Sequence, residues 1–127
     1  MIVHLSALAR ESVLSGDAAE YAELVIVLER GHGSIALDRI ADPKPYDTAL
    51  SAIEVRESDD EAVLISVDRE RETLVARGPK PLLSVLAELV RDAAASGDPE
   101  GHVHVEYFPG HFYLGEGSES LTIRDAR

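Results

Sequence analysis

Apolar residues recur along the chain with a spacing that predicts a first helix over residues 18–30. Four of them follow the i, i+3, i+4, i+7 spacing of one buried helical face: Tyr21, Leu24, Val25 and Leu28. Asp17 and Glu20 form a capping-box signature before this segment, and Gly31 stands where helices often end. These end signals favour a helix over the alternative, a buried strand at residues 24–28.

A second helix is predicted to begin in the segment Gly78-Pro79-Lys80-Pro81, because proline is tolerated in the first turn of a helix. Five apolar residues form its predicted buried stripe: Leu82, Val85, Leu86, Leu89 and Val90. Gly97 is the predicted end of this helix.

The remaining apolar segments are short, and several alternate with polar residues as half-buried strands do. The predicted strands cover residues 10–15, 32–40, 50–57, 62–68, 72–76, 102–108 and 121–123. The first residues are either a disordered lead-in or a short first strand. The proline-rich segment 42–47 is predicted to be a loop.

This order of elements predicts an α+β fold in a single domain over residues 1–127, which is within the usual size of one domain. We expect a mainly antiparallel sheet of about six to seven strands, with both helices packed on one face. Residues 10–14 and 71–75 echo each other, since each segment is followed by glycine and then a helix. The echo suggests pseudo-duplicated strand–helix–strand halves, although chance similarity between short amphipathic units explains it equally well.

The composition excludes several classes of chemistry. With no cysteine in 127 residues, disulfides, thiolate metal sites and cysteine nucleophiles are absent. No apolar run approaches the ~20 residues that a membrane-spanning helix needs. The first residues also lack the basic region and long apolar stretch of a signal peptide, so we expect a cytoplasmic protein.

The charge points away from nucleic acid and towards protein. Twenty-four acidic residues against 12 basic ones give a formal net charge of −12, which repels phosphate backbones and anionic membranes. The basic residues are scattered singly along the sequence. The acidity suits solubility alone, or a basic protein partner whose approach it would accelerate.

Aromatic and titratable residues concentrate in residues 102–113. Four of the six aromatic residues lie there, Tyr107, Phe108, Phe112 and Tyr113, with three of the five histidines, His102, His104 and His111. Pro109-Gly110 predicts a turn in which Gly110 takes a positive φ. The aromatic residues then form either a corner that closes one end of the sheet or an interaction surface.

Strand alternation places the histidines of this segment on one face. His102, His104 and Glu106 share a face, and the valines between them face the other way, towards a helix. Two histidines at i and i+2 are a weak metal-binding signal, and Glu106 lies roughly 13 Å from His102 along a strand. A metal ion bound by His102 and His104, with His111 returning from the loop, is the alternative to exposed or hydrogen-bonded histidines. No His-Glu-x-x-His motif and no glycine-rich phosphate loop accompany them.

The C-terminal sequence resembles the Imm32-type immunity proteins of bacterial polymorphic toxin systems. The resemblance rests on the run His102-Val103-His104-Val105-Glu106-Tyr107-Phe108-Pro109-Gly110-His111-Phe112-Tyr113-Leu114 and on Gly117-Ser118-Glu119-Ser120-Leu121. Pro45-Tyr46, residues 50–55 and residues 65–67 add weaker likeness upstream.

This resemblance implies a small, non-catalytic cytoplasmic protein without a cofactor, which binds and neutralises a cognate toxin. We expect the partner-binding residues to be His102, His104, Glu106, His111, Phe112 and Tyr113, surrounded by acidic residues. Two other hypotheses stay open at this point. One is a metal-binding protein or metal-dependent enzyme that uses His102, His104 and His111, and the other is a homodimer paired through an exposed edge strand.

Overall fold

The computed structural model describes residues 1–6, 11–38, 48–95 and 102–125. These residues contain two helices, α1 (Ala18–Arg30) and α2 (Lys80–Ala95). They also contain the strands β1 (Ile2–Ser6), β2 (Glu11–Gly16), β3 (His32–Ala36), β4 (Thr48–Ala49), β5 (Ala52–Glu57), β6 (Leu64–Asp68), β7 (Thr73–Gly78), β8 (His102–Val105) and β9 (Ser120–Asp125). The predicted loop at 42–47 and the predicted helix end at Gly97 lie outside the described residues.

The α+β class and the two helices are confirmed, but the strands form two mixed sheets where one mainly antiparallel sheet was predicted. The first sheet has the strand order β4-β1-β2-β9-β8, and the second has the order β3-β5-β7-β6. Each sheet contains one parallel pair of neighbouring strands, β2 with β9 in the first sheet and β5 with β7 in the second, and its other pairs are antiparallel. The reason for the difference is that each helix connects an inner strand of one sheet to an edge strand of the other.

The two halves of the chain repeat one topology, β1-β2-α1-β3-β5 and β6-β7-α2-β8-β9. The first two strands of each half lie in the same sheet as the last two strands of the other half, joined through β2 with β9 and β7 with β5, so the halves exchange strands. The two parallel pairs have the same register: Gly16 pairs with Asp125 in the first sheet, and Gly78 pairs with Glu57 in the second. Structurally, β2 therefore corresponds to β7, one residue away from the alignment that the sequence echo suggested.

The helix α1 begins and ends where the sequence predicted. The Asp17 carboxylate accepts a hydrogen bond from the Glu20 amide at 2.8 Å, and the Glu20 carboxylate accepts one from the Asp17 amide at 3.0 Å. Gly31 ends the helix with a φ of 86°. Because these signals lie within a few residues of the helix ends, they could be read without knowledge of the tertiary structure.

The buried face of α2 is centred one residue away from the predicted stripe. Its buried residues are Leu83, Leu86, Ala87 and Val90, whereas Leu82, Val85 and Leu89 are only partly buried. These four buried residues occupy the same positions after Gly78 that Tyr21, Leu24, Val25 and Leu28 occupy after Gly16. The two helices pack against each other, and α2 also contacts β7, β8 and β9, so it is covered on more than one side.

The apolar faces of both helices and both sheets form one hydrophobic core. Tyr21 lies in it with 2% of its surface exposed. Its hydroxyl is within hydrogen-bonding distance of the backbone carbonyls of Leu14 and Arg124, which ties α1 to β2 and β9. In the ranges that the structure describes, neither helix is long and apolar enough to cross a membrane.

Candidate functional site

The strand β8 forms one edge of the first sheet and carries the predicted histidine face. It ends at Val105, three residues earlier than predicted. Val105 is buried and Val103 packs on the core, whereas His104 and Glu106 are exposed. The predicted separation into a valine face and a polar face is therefore present, and the side chain of His102 lies outside the described part of the structure.

Hydrogen bonds connect His104 across three strands of the first sheet. The Thr122 hydroxyl on β9 donates to the Glu11 carboxylate on β2 at 2.9 Å, and its oxygen lies 2.9 Å from Nδ1 of His104. A hydroxyl has one proton, so the second contact requires Nδ1 of His104 to be the donor. The neutral ring then carries its acceptor lone pair on Nε2, the nitrogen on the other side of the ring.

Two further polar residues, His4 and Arg124, extend this polar face across the first sheet. His4 on β1 lies in the same cross-strand row as Thr122 and His104, with Val13 between His4 and Thr122. Burial, and then the nearby positive charge of Arg124, lower the pKa of His4 below its ordinary value. Arg124 itself donates from Nε to the Ser15 hydroxyl at 3.1 Å. The outer face of this sheet is therefore a hydrogen-bonded polar surface.

We call residues 107–114 the aromatic loop, because they carry four of the six aromatic residues. Gly110 has a φ of 88°, as predicted, and the His111 amide donates to the Phe108 carbonyl at 2.9 Å to close the turn. Phe108 is 58% exposed and Phe112 is 74% exposed. The loop thus presents two large apolar side chains to solvent beside a polar strand.

His111 supports the loop from inside. Its Nδ1 accepts hydrogen bonds from the amides of Tyr113 at 3.3 Å and Leu114 at 3.1 Å. Its ring lies 4.7 Å from that of Phe108, 5.9 Å from that of Phe112 and 4.5 Å from that of Tyr113, measured between centroids. His111 is half-buried. These contacts fix the loop conformation before any partner arrives.

The end of the aromatic loop is anchored to the other sheet. Tyr113 is only 4% exposed, and burial raises the pKa of its phenol. The Val63 amide donates to the Tyr113 carbonyl at 2.7 Å, and the Gly115 amide donates to the Val63 carbonyl at 2.8 Å. The loop therefore starts at the edge of the first sheet and is held at Val63, the residue before β6 at the edge of the second sheet. Tyr113 acts in this anchor and does not present its ring to solvent.

The geometry gives no support to the alternative of a histidine metal site. Among the residues that the structure describes, no group of three or more His, Cys, Asp or Glu side chains is arranged to hold a metal ion. Nδ1 of His104 contacts Thr122, and Nδ1 of His111 accepts two backbone amides.

Sequence reasoning missed three parts of this region. Phe108 was counted among the aromatic residues but left out of the expected contacts, although strand alternation places residue 108 on the same face as His104 and Glu106. The hydrogen bonds that link Glu11 and Thr122 to His104 were also missed, because Glu11 lies 111 residues from Thr122 in the sequence. Alternation in residues 121–123 was the available signal for Thr122, since it places this residue on the polar side of the strand.

These features describe a small acidic α+β protein with one anchored, solvent-exposed aromatic loop. The sequence model of the family Immunity protein 32 matches residues 77–126, which confirms the resemblance to that family. The matched region runs from the end of β7 through α2, β8 and the aromatic loop to β9, and residues 1–76 lie outside it. No curated protein and no solved structure gives a significant match to the chain.

Proposed function

We propose that this chain is an immunity protein that binds a cognate toxin and neutralises it without catalysing a reaction. The observation that carries the proposal is the family match, because the matched residues 77–126 include the whole aromatic loop. We assign the direct contacts to His104, Glu106, Phe108 and Phe112, together with His102 from the predicted set. His111 and Tyr113 then act as supports of the loop.

The exposed phenylalanines have the properties of binding hot spots. Aromatic residues dominate interface energies, and their contribution is largest where the surface is already ordered. Burying on the order of 100 Å² of the exposed Phe112 ring contributes about 2–3 kcal/mol, which is roughly a 30- to 150-fold change in affinity. Because His111 already fixes the loop, little of this free energy is lost to ordering the backbone.

The net charge supports a basic toxin as the partner. A formal charge of −12 attracts a cationic protein over long distances and raises its association rate. Salt screens such attraction, with a Debye length of about 8 Å at physiological ionic strength. We therefore expect the association rate constant to fall as salt is added, while the dissociation rate constant changes less.

The proposal is tested against candidate toxins encoded beside the gene. The chain is co-expressed with each candidate, and growth is measured alongside affinity by calorimetry. Replacing Phe108 and Phe112 together by serine is expected to weaken binding at least 100-fold and to abolish protection. Ile26→Ser is the matched control, since Ile26 is an exposed apolar residue, 55% accessible, on α1.

Two results would contradict the proposal. One is the absence of both binding and protection by the unaltered chain. The other is an equal loss of affinity in the Ile26→Ser control and in the double serine variant, which would show that binding does not depend on the aromatic loop.

A further inference from the structure

The outer face of the second sheet gathers three arginines that are far apart in the sequence. They line a pocket with a volume of about 220 Å³, together with Ser66 and Asp68, and they are Arg56, Arg71 and Arg77. The basic residues are scattered singly along the sequence, and the pairing of β5 with β7, together with the turn before β7, brings these three arginines to one place. In a chain of net charge −12, three arginines on one pocket are a local concentration of positive charge.

The register of the sheet places two of these cations side by side. Arg56 on β5 pairs directly with Arg77 on β7. Like charges directly opposite each other in a sheet are destabilising. At the corresponding place in the first sheet, Arg124 is opposite Ser15, whose hydroxyl accepts a hydrogen bond from Arg124. The second sheet thus has an arginine where its counterpart has a neutral acceptor.

Carboxylates around the pocket balance these charges only weakly. Arg56 and Arg71 share the single carboxylate of Glu54, and Asp68 lies 3.7 Å from Arg71. The two arginine side chains are 53% and 54% exposed, and exposed ion pairs contribute little, about 0–1 kcal/mol each. A ligand with several negative oxygens can therefore compete for the guanidinium groups.

Arg77 has the least satisfied guanidinium of the three. Its Nε lies 3.3 Å from the Asp60 carboxylate, which also accepts a hydrogen bond from the Ser58 hydroxyl at 2.7 Å. Nε is shielded from solvent and, among the described residues, makes no hydrogen bond of acceptable geometry. The pairing of Arg77 with Asp60 is therefore weak, and the guanidinium group can also bind an anion in the pocket that it lines.

We infer that this pocket binds a small oxyanion with more than one negative charge, through the guanidinium groups of Arg56, Arg71 and Arg77. Guanidinium is planar and offers paired donors, which match the oxygens of phosphate and carboxylate groups. The pocket is smaller than the roughly 300–1,000 Å³ typical of sites for drug-sized ligands, so the occupant is a compact anion. This surface is separate from the aromatic loop, and the inference does not depend on the proposed function.

Calorimetry with two probes tests the inference, pyrophosphate for phosphate groups and citrate for carboxylates. Titrations are made at constant ionic strength, with sodium chloride as the reference. We expect saturable binding of one probe molecule per chain. Arg77→Gln should weaken it at least tenfold, and Arg77→Lys, which keeps the charge but loses the paired donors, should have an intermediate effect.

Arg91→Gln is the matched control. Arg91 is 46% exposed and contacts two carboxylates, those of Glu29 and Glu88, so the variant loses the same charge away from the pocket. Its affinity for the probes should stay within twofold of the unaltered chain. Circular dichroism and the melting temperature establish that each variant is folded.

The outcomes show whether the site exists and which kind of anion it binds. Saturable binding of pyrophosphate alone identifies a phosphate ligand, and saturable binding of citrate alone identifies a carboxylate ligand. Absence of saturable binding by either probe overturns the inference. Equal weakening by Arg77→Gln and Arg91→Gln also overturns it, since the effect would then be one of net charge.

Discussion

Gly78 is the position where adding a single methyl group should disturb the fold most directly. It is the last residue of β7, and it is buried. A Cβ atom at this position would lie 2.9 Å from the Cα atom of Val63 and 3.0 Å from the carbonyl oxygen of Ala62. Both are backbone atoms, so no rotation of a side chain relieves the clash. The Gly78 carbonyl also accepts a hydrogen bond from the Ser58 amide at 2.9 Å, which resists movement of β7.

The expected cost of Gly78→Ala combines two opposing effects. Overpacking of a tight site typically costs about 1–3 kcal/mol. Replacing glycine also restricts the unfolded chain, which stabilises the fold by about 0.4–1 kcal/mol. The net loss is about 1–2 kcal/mol, and with an unfolding entropy near 2.1 cal/mol/K per residue this lowers the melting temperature by about 4–8 °C.

Thermal unfolding, followed by circular dichroism or calorimetry, measures this effect against Gly115→Ala. A Cβ at Gly115 faces the same segment, but it would lie 3.4 Å from the Cβ of Ala62 and 3.6 Å from the carbonyl oxygen of Val63, which are ordinary contacts. Gly115→Ala should therefore change the melting temperature little. The reasoning is refuted if Gly78→Ala melts within about 2 °C of the unaltered chain, given the expected 4–8 °C, or if both variants lose the same amount.

Three further predictions concern His4, Glu72 and the two histidines of β8. The folded chain holds the pKa of His4 below the unfolded value of 6.5, so the unfolded state binds more protons. The stability that neutral His4 contributes to the fold is therefore present above pH 6.5 and is lost as the pH falls through the folded pKa. The drop in melting temperature between pH 7.5 and pH 5.5 should thus be smaller in His4→Gln, and an equal drop would contradict the reasoning. Glu72 has a φ of 49°, where asparagine is better tolerated, so Glu72→Asn should raise stability by about 0.5–1 kcal/mol in chemical unfolding, and a loss would oppose this view of the turn. Elemental analysis of protein purified without tag or chelator should give no stoichiometric transition metal, whereas one equivalent that is lost in His102→Ala/His104→Ala would revive the metal hypothesis.

Local signals explain which parts of the fold the sequence could predict. The capping box at Asp17 and the left-handed Gly31 set both ends of α1, and each acts over a few residues. The turn at Gly110 is local in the same sense. Where the residues that stabilise an element are close together in the sequence, the pattern of residue types was sufficient to predict that element.

Pairing between distant segments explains what the sequence could not predict. Glu11 pairs with Ser120, more than a hundred positions away, and alternation along either strand does not reveal the other. Nor does alternation show to which of two sheets a strand belongs, so a single sheet was the simpler expectation. The alignment suggested by the internal echo was wrong by one residue for a related reason. A shift of one residue exchanges the two faces of a strand, and the similarity between two short segments does not determine which of the two alignments is correct.

The same limit applied to the candidate surfaces. The concentration of histidine and aromatic residues in 102–113 was visible in the composition of the segment, whereas the exposure of Phe112 depends on how the loop after β8 folds. The arginine pocket depends on the pairing of Arg56 with Arg77, and the connection of His104 to Glu11 depends on β9 lying between their strands. Neither arrangement is present in any short stretch of sequence.

The exchange of strands between the halves also bears on how the family match should be interpreted. The matched residues 77–126 contain β8 and β9, but these strands complete a sheet that β1 and β2 begin. The helix α2 in the matched region packs against α1, which lies outside it. The aromatic loop is likewise held by Val63, the residue before β6, which is also outside the match. Because the matched segment depends on residues 1–76 for its sheet, its helix partner and the anchor of its loop, the surface that we propose to bind the toxin is a product of both halves.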